Sequence, residues 1–186
     1  MRREKLMAPR TAKMRIESIT AELARLREKH GELKAEHLAA SMGVLVRYEP
    51  MGMQENACKG FFLYHSRKRL ITINSDLNED GQRIVLAHEL GHAVLHRTYS
   101  ASFHDFSLFD DSGTLEYEAN LFAAELLVDD EELLMVLEEG VDFFSAAKRL
   151  RVPAELLDFK LRILKSKGYE FQSPIHARSN FLKGDI

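Results

Sequence analysis

The sequence predicts an α+β fold in which a small antiparallel sheet packs on a helix, with further helices before and after this pair. Three short runs between residues 44 and 74 are rich in β-branched and aromatic residues, as strands are. The flanking segments repeat apolar residues every three or four positions, which is typical of amphipathic helices. The chain has 186 residues. At about 150 residues per domain, this length corresponds to one compact domain with short extensions.

Two helices are predicted before the sheet. The first covers residues 11–30, where apolar residues at helical spacing share one face, namely Ile16, Ile19, Leu23 and Leu26. A shorter helix, residues 32–42, ends at Gly43. Together they form a predicted N-terminal helical segment, residues 1–42.

Three strands are predicted next. The run VLVRYEP, residues 44–50, alternates apolar and polar residues and ends at a proline. The runs FFLYH (61–65) and RLITIN (69–74) are joined by three polar residues and predict a β-hairpin. Because residues 51–59 are loop and hairpin strands pair antiparallel, the expected product is an antiparallel sheet.

The remainder of the chain is predicted to be helical. Turn-forming residues between 74 and 81 end the sheet, residues 98–113 form a loop, and Asp129 caps a helix. The expected helices cover residues 82–97, 114–128, 131–139, 142–150 and 154–167. Residues 43–140 are the predicted core domain, and residues 141–186 are a predicted C-terminal helical extension.

The composition is that of a globular protein, with 45% hydrophobic and 30% charged residues. No run approaches the roughly 18 apolar residues of a membrane helix, and the beginning of the sequence lacks the apolar segment of a signal peptide. We therefore expect a cytoplasmic protein that does not bind membranes. The single cysteine, Cys58, excludes an internal disulfide and CxxC zinc sites. A bound metal ion would need histidine and carboxylate ligands.

The charge distribution argues against a general nucleic-acid binder. The net charge is −3, and residues 98–147 contain 13 acidic residues and no Lys or Arg. We interpret this acidic stretch as solvated helix faces and loops, with attraction of a basic partner or a metal ion as the alternative. Direct nucleic-acid binding is not expected.

Residues 88–92, HELGH, form an H-E-x-x-H pattern within the helix predicted for residues 82–97. Four residues advance about 400° around an α-helix, so His88 and His92 lie on one face and can bind one zinc ion. Glu89, beside them, can take a proton from a water acidified by the ion and pass it to a leaving amine. The structural alternative is an amphipathic helix that carries surface or core histidines.

A catalytic zinc site uses three protein ligands and leaves one position for water. In the helix predicted for residues 114–128, Glu116 and Asn120 are one turn apart on one face. Glu116 is the favoured third ligand, and Asn120 is the favoured partner for the second nitrogen of a ligand histidine. Glu118, about 200° away around the helix, is the alternative ligand. For both carboxylates, a solvated helix start is the structural alternative.

These motifs also carry a resemblance to a known family. The run AHELGHAVLH follows the hairpin and precedes LEYEANLFAAELL, and this arrangement resembles the ImmA/IrrE family of zinc metallopeptidases over residues 35–130. The resemblance implies a gluzincin-like site that holds one Zn²⁺ per chain through His88, His92 and Glu116, with Glu89 as the catalytic acid. Relatives often read LLMP after the second helix, whereas this chain reads LLVD at residues 126–129. That departure changes how the helix ends and leaves the metal chemistry untouched.

The resemblance further implies a protein substrate. For the family's best-understood members it implies limited proteolysis of a helix-turn-helix transcriptional repressor, in response to DNA damage or a mobile-element signal. The alternative is a zinc-stabilised, non-catalytic regulatory module that binds a repressor without cutting it. A second alternative is a DNA-binding regulator, because residues 145–168 have a basic helix-turn-helix layout. Their many apolar positions favour packing or substrate recognition instead.

For four other residues we favour a role outside catalysis and metal binding. His96 continues the histidine stripe one turn further, where a supporting role is favoured over metal ligation. His104 could donate to an oxyanion, but an ordinary loop histidine is favoured, as it is for His176 in the irregular tail. Cys58 could approach the zinc as an inhibitory thiolate, and of these hypotheses we favour this one least. Either hairpin strand could pair with an extended substrate, a role compatible with packing under the helix.

Overall fold

The computed structural model describes residues 12–31, 34–54, 57–96 and 112–183, and within them the chain has the predicted α+β fold. None of the helices in these ranges combines the length and apolar character that a membrane span requires. A short 3-10 turn covers Phe181–Lys183. The other elements are α1 (Ala12–His30), α2 (Ala35–Ser41), β1 (Val44–Glu49), β2 (Gly60–His65), β3 (Lys68–Asn74), α3 (Glu79–Leu95), α4 (Ser112–Leu127), α5 (Asp130–Glu138), α6 (Phe143–Arg149) and α7 (Ala154–Ser166).

The sheet has the strand order β1-β3-β2. The hairpin strands β2 and β3 pair antiparallel, from Gly60 opposite Ile73 to His65 opposite Lys68. Strand β1 pairs parallel with β3, so the sheet is mixed. The prediction of an antiparallel sheet therefore holds for the hairpin and is corrected for β1.

The burial of β3 explains this arrangement. Ile71 and Ile73 are fully buried, and Thr72 and Asn74 are buried as well, so both faces of β3 are covered. A strand buried on both faces needs backbone partners along both edges. β2 occupies one edge, and the largely exposed β1 takes the other, where the chain direction makes the pairing parallel.

The connection from β1 to β2 passes β3, and the buried side chain of Asn74 holds it in place. Asn74 Nδ2 donates to the carbonyl oxygens of Gly52 at 2.7 Å and Cys58 at 3.0 Å. Asn74 Oδ1 accepts from the backbone N–H of Met51 at 3.1 Å. Both ends of the predicted 51–59 loop are therefore fixed to the end of β3.

Helix α3 begins at Glu79, whereas the sequence predicted a start at residue 82. The earlier start follows from an N-cap, because Asn78 Oδ1 accepts from the backbone N–H of Gly81 at 2.8 Å. The helix packs on β2, β3, α2 and α4, and most of its residues are buried. The H-E-x-x-H residues therefore stand on a helix that the sheet covers on one side and α4 on another.

Helix α4 contacts α1, α3 and α7. Buried residues from both predicted extensions and from the predicted core join in one hydrophobic cluster. The division at residues 42 and 140 stays a prediction. Helix α4 begins at Ser112, two residues before its predicted start. Most of the predicted 98–113 loop, including His104, lies outside the described residues.

The close approach of α3 and α4 depends on Gly91. A Cβ at this position would lie 3.0 Å from Ala119 Cα, 3.1 Å from Ala119 O and 3.2 Å from Phe122 Cβ. Because two of these atoms belong to the backbone of α4, the helices would have to separate. We expect Gly91→Ala to lower the free energy of unfolding of the metal-free protein by about 1–3 kcal/mol, measured by urea denaturation.

A matched control is Gly113→Ala, in the first turn of α4. The nearest atom to a Cβ there is Ser179 Oγ at 3.9 Å, which is ordinary contact. This variant should be at least as stable as the parent, because alanine favours the helix. Equal stabilities of the two variants would contradict the importance of the α3–α4 approach.

Candidate metal centre

The structure brings together the three residues predicted as metal ligands. His88 and His92 lie one turn apart on α3, and Glu116 faces them from α4. His88 Nε2 lies 3.2 Å from His92 Nε2 and 3.3 Å from Glu116 Oε2. His92 Nε2 lies 3.8 Å from Glu116 Oε1. Within the described ranges, this is the one group of three or more such side chains whose donor atoms converge closely enough to hold an ion.

These distances fit a tetrahedral zinc ion. Ligand atoms at about 2.0–2.1 Å from a tetrahedral centre are about 3.4 Å from one another. The observed nitrogen–nitrogen and His88 nitrogen–oxygen separations, 3.2 Å and 3.3 Å, are close to that value, and the separation of His92 Nε2 from Glu116 Oε1, 3.8 Å, is longer. Two imidazoles and one carboxylate leave one position of a tetrahedron for water or substrate. The same ligand types also admit other divalent ions.

Asn120 lies where the prediction places it, one turn after Glu116 and against His88. His88 Nδ1 lies 2.9 Å from Asn120 Oδ1, and both side chains are buried. With the lone pair of His88 on Nε2, its Nδ1–H donates to the amide oxygen, which fixes the orientation of the ring. Asn120 Nδ2 in turn donates to the carbonyl oxygen of Ser179 at 2.6 Å. No sequence signal pointed to Ser179, because the tail has no periodicity.

We expect Asn120→Ala to weaken zinc binding about 10- to 100-fold, because His88 loses the acceptor that orients it. Asn120→Asp is the matched variant: it keeps an oxygen acceptor for His88, loses the donor to Ser179 and adds a negative charge. Its zinc affinity should stay above that of Asn120→Ala, because His88 keeps its acceptor. Competition with a fluorescent chelator measures both affinities, and an unchanged affinity in Asn120→Ala would contradict the orienting role.

Glu89 is buried beside the ligands, with 8% of its surface exposed. Burial raises the pKa of its carboxyl group to about 7; the charge of His88 opposes this shift, and that of Glu116 adds to it. The backbone N–H of Phe62, in β2, lowers the pKa of Glu89 by hydrogen bonding. A carboxyl group with a pKa near neutrality can both accept and release a proton there, as a general base and acid must.

The pKa of His88 reflects the same clustering of charge. Burial lowers the pKa of His88, but the hydrogen bond to Glu116 and the negative charges of Glu89 and Glu116 outweigh it, so the net shift is upward. Two carboxylates thus lie beside the buried imidazole of His88 and the partly buried imidazole of His92. Such a surplus of negative charge favours a bound cation.

Glu118, the alternative ligand, lies on another face of α4. Its Oε2 is 3.0 Å from His96 Nε2, and its Oε1 is 3.6 Å from an Nη atom of Arg15 on α1. Glu116 is therefore the carboxylate that meets His88 and His92. From the sequence, Glu118 is an alternative ligand or part of a solvated helix start, and no local pattern indicates its pairing with His96.

The remaining candidates lie at the periphery. Cys58 is exposed, and partial burial of its thiol together with the charge of Glu89 raises the pKa of that thiol, which disfavours a thiolate. His176 is exposed and lines a cavity of about 590 Å³ that reaches Glu116. Tyr117, Arg162 and Arg178 also line this cavity. The cavity therefore opens beside the Glu116 carboxylate.

Sequence comparisons with known proteins assign the chain to a family. A peptidase family model, described as the IrrE N-terminal-like domain, matches residues 39–162. The match includes more than half of the chain and contains all three ligand candidates, Glu89 and Asn120. The chain belongs to this family, and the resemblance to ImmA/IrrE proteins is confirmed.

Two relatives make the comparison more particular. The chain is 37% identical over 101 residues to a protein of Bacillus phage phi105 named "Uncharacterized immunity region protein 2", and this covers 54% of the chain and 64% of the relative. It is 36% identical over 98 residues to "Metallopeptidase ImmA" of Bacillus subtilis (strain 168), covering 50% of the chain and 54% of the relative. The chain thus matches less than two thirds of the length of either relative.

Proposed function

We propose that this protein is a zinc-dependent endopeptidase that makes a limited cut in a cytoplasmic helix-turn-helix transcriptional repressor. The observation that carries the proposal is the convergence of His88, His92 and Glu116, with the buried Glu89 beside them. Membership in a peptidase family supports the reaction class. The relative named Metallopeptidase ImmA supports a metal-dependent peptidase. The repressor as substrate comes from the resemblance to the ImmA/IrrE family that the sequence motifs carry.

In the proposed mechanism, His88, His92 and Glu116 would hold Zn²⁺, and Asn120 orients His88. When bound, the ion would supply Lewis acidity toward the scissile carbonyl and toward water. Glu89 takes the proton of the attacking water and then delivers it to the leaving amine. Its burial against β2 and α4 keeps this proton exchange away from bulk solvent. The cavity beside Glu116 has space for the chain on one side of the cut.

The metal part of the proposal is tested with two neighbouring carboxylates. Glu116→Ala should lose most of its zinc, because one of three ligands is gone. Glu118→Ala should retain about one zinc per chain when zinc is supplied in excess, because all three ligands remain. Elemental analysis after removal of unbound metal measures both. The reverse result would assign the third ligand to Glu118.

The substrate part is tested by incubating the purified protein with helix-turn-helix repressors from the same genome. We expect one repressor to be cut at one site, the cut to stop when a chelator removes the metal, and zinc to restore it. Mass spectrometry of the fragments identifies the bond. A repressor that is bound but never cut would instead favour the non-catalytic binding module.

A further inference from the structure

We propose that His96 and Glu118 form a hydrogen-bonded relay that positions the ligand His92 and fixes its tautomer, an inference that rests on the metal centre of the proposed function. His92 Nδ1 lies 3.0 Å from His96 Nδ1. On the far side of the same ring, His96 Nε2 lies 3.0 Å from Glu118 Oε2. His96 has only 5% of its surface exposed, and its partners His92 and Glu118 are partly buried, so water has limited access to these contacts.

The order of proton donors follows from the end of the relay. An ionised carboxylate only accepts hydrogen bonds, so His96 carries its proton on Nε2 and donates it to Glu118. The Nδ1 atom of His96 is then an acceptor, and it receives the Nδ1–H of His92. The lone pair of His92 is thereby placed on Nε2. That atom is the one that lies 3.2 Å from His88 Nε2, at the centre of the ligand group.

Arg15 extends the relay to a third helix. Its guanidinium places a positive charge 3.6 Å from Glu118 Oε1, and Arg15 lies on α1. Histidine ligands commonly donate a hydrogen bond from the N–H of their second ring nitrogen to a carboxylate or carbonyl oxygen, and this bond sets the orientation of the ring. Here the carboxylate acts on His92 through an intervening imidazole, whereas His88 uses the amide of Asn120 directly.

The same contacts decide against His96 as a further metal ligand. Both of its ring nitrogens are occupied, one by His92 and the other by Glu118. Among the described residues, the donor group that could hold an ion does not include His96. The role of His96 is therefore to position His92. Glu118 acts through it.

Zinc affinity tests the relay in His96→Phe, Glu118→Ala and the double variant, by competition with a chelator. Each single change should weaken binding about 10- to 100-fold. The double variant should bind about as His96→Phe does, because the hydrogen-bonded path from Glu118 to His92 passes through the ring of His96. His65→Phe, at the exposed end of the hairpin, is the control and should bind as the parent does. Parent-like affinity in both single variants, or losses that multiply in the double variant, would overturn the relay.

A second readout uses the unaltered protein loaded with zinc. Nitrogen-15 NMR of the imidazoles should show the proton of His92 on Nδ1 and that of His96 on Nε2. In Glu118→Ala, His96 should lose its preference for the Nε2–H form, a change that a purely structural role would not produce. A proton on His96 Nδ1 in the unaltered protein would refute the relay.

These readouts separate the relay from the proposed reaction. A chain that binds zinc with the expected tautomers and cuts no repressor would contradict the peptidase alone. Zinc binding that is indifferent to His96 and Glu118 would contradict the relay alone. A parent chain that binds no zinc would contradict both.

Discussion

Replacing Glu89 by glutamine is expected to lower the rate of repressor cleavage about 10²- to 10⁴-fold, the range that a general acid–base group contributes. The amide has nearly the shape of the carboxyl group but neither accepts nor releases a proton near neutral pH. Its position beside the three ligands and outside the ligand group predicts that zinc stays bound. Cleavage rates and zinc content of the same purified sample measure the two properties together.

Glu36→Gln is the matched control, since Glu36 is an exposed carboxylate on α2. It should change neither cleavage nor zinc content. Full cleavage by Glu89→Gln would remove this residue from the mechanism. Loss of zinc together with activity would instead give Glu89 a part in holding the ion.

The largest expected effect on stability comes from a buried charge cluster remote from the ligands. Lys160 on α7 is 1% exposed. Its Nζ lies 2.6 Å from Glu125 Oε2 and 2.5 Å from Asp130 Oδ1. Lys167 Nζ approaches the same two carboxylates at 2.9 Å and 2.6 Å. The cluster ties α7 to α4 and α5.

Lys160→Met should lower the free energy of unfolding by about 3 kcal/mol. Removing one partner of a buried ion pair costs about 3–5 kcal/mol, because the remaining charge is buried without compensation. The lower end applies because Lys167 still faces Glu125 and Asp130. Urea denaturation at neutral pH measures the difference. Lys165→Met, an exposed position on the same helix, should change stability by no more than about 0.5 kcal/mol.

The difference between Lys160→Met and the parent should also depend on pH. Burial raises the pKa of Asp130, but the hydrogen bonds and charges of Lys160 and Lys167 lower this pKa by more than burial raises it. The net shift of the pKa is therefore downward. A carboxyl group with a lowered pKa stabilises the fold above its ordinary pKa, and this stabilisation is lost as the pH falls through the lowered value. The stability gap between the two proteins should therefore narrow in acid. A gap that is independent of pH would place the effect in packing rather than in charge.

The helices and the ligand group were predictable because their signals are local. Ile16, Ile19, Leu23 and Leu26 are all buried in α1, as their spacing indicated. The positions of His88 and His92 follow from helix geometry alone. Glu116 was favoured over Glu118 because Asn120 follows it by one turn. This choice agrees with the facing of α4 toward α3, although its chemical role stays a prediction.

What could not be predicted depends on contacts between distant segments. Alternation of apolar and polar residues in a strand indicates which side chains share a face. It does not indicate which neighbouring strand will pair with it or in which direction, so the sequence does not predict the parallel pairing of β1 with β3. The pairing of His96 with Glu118 depends on how closely α3 approaches α4. This close approach is possible because Gly91 has no side chain. The contact of Ser179 with Asn120 joins residues 59 positions apart. No local pattern encodes such a contact.

During synthesis, the metal centre is completed only after the contact between Asn120 and Ser179 can form. Asn120 emerges long before Ser179, whose carbonyl oxygen holds its amide 59 residues later. At about 5–20 residues per second, a ribosome needs about 3–12 s to cover that distance. Until Ser179 has been translated, the amide of Asn120 lacks its own anchor. We therefore expect a nascent chain to acquire its settled metal geometry only after the tail has been translated and has docked on α4.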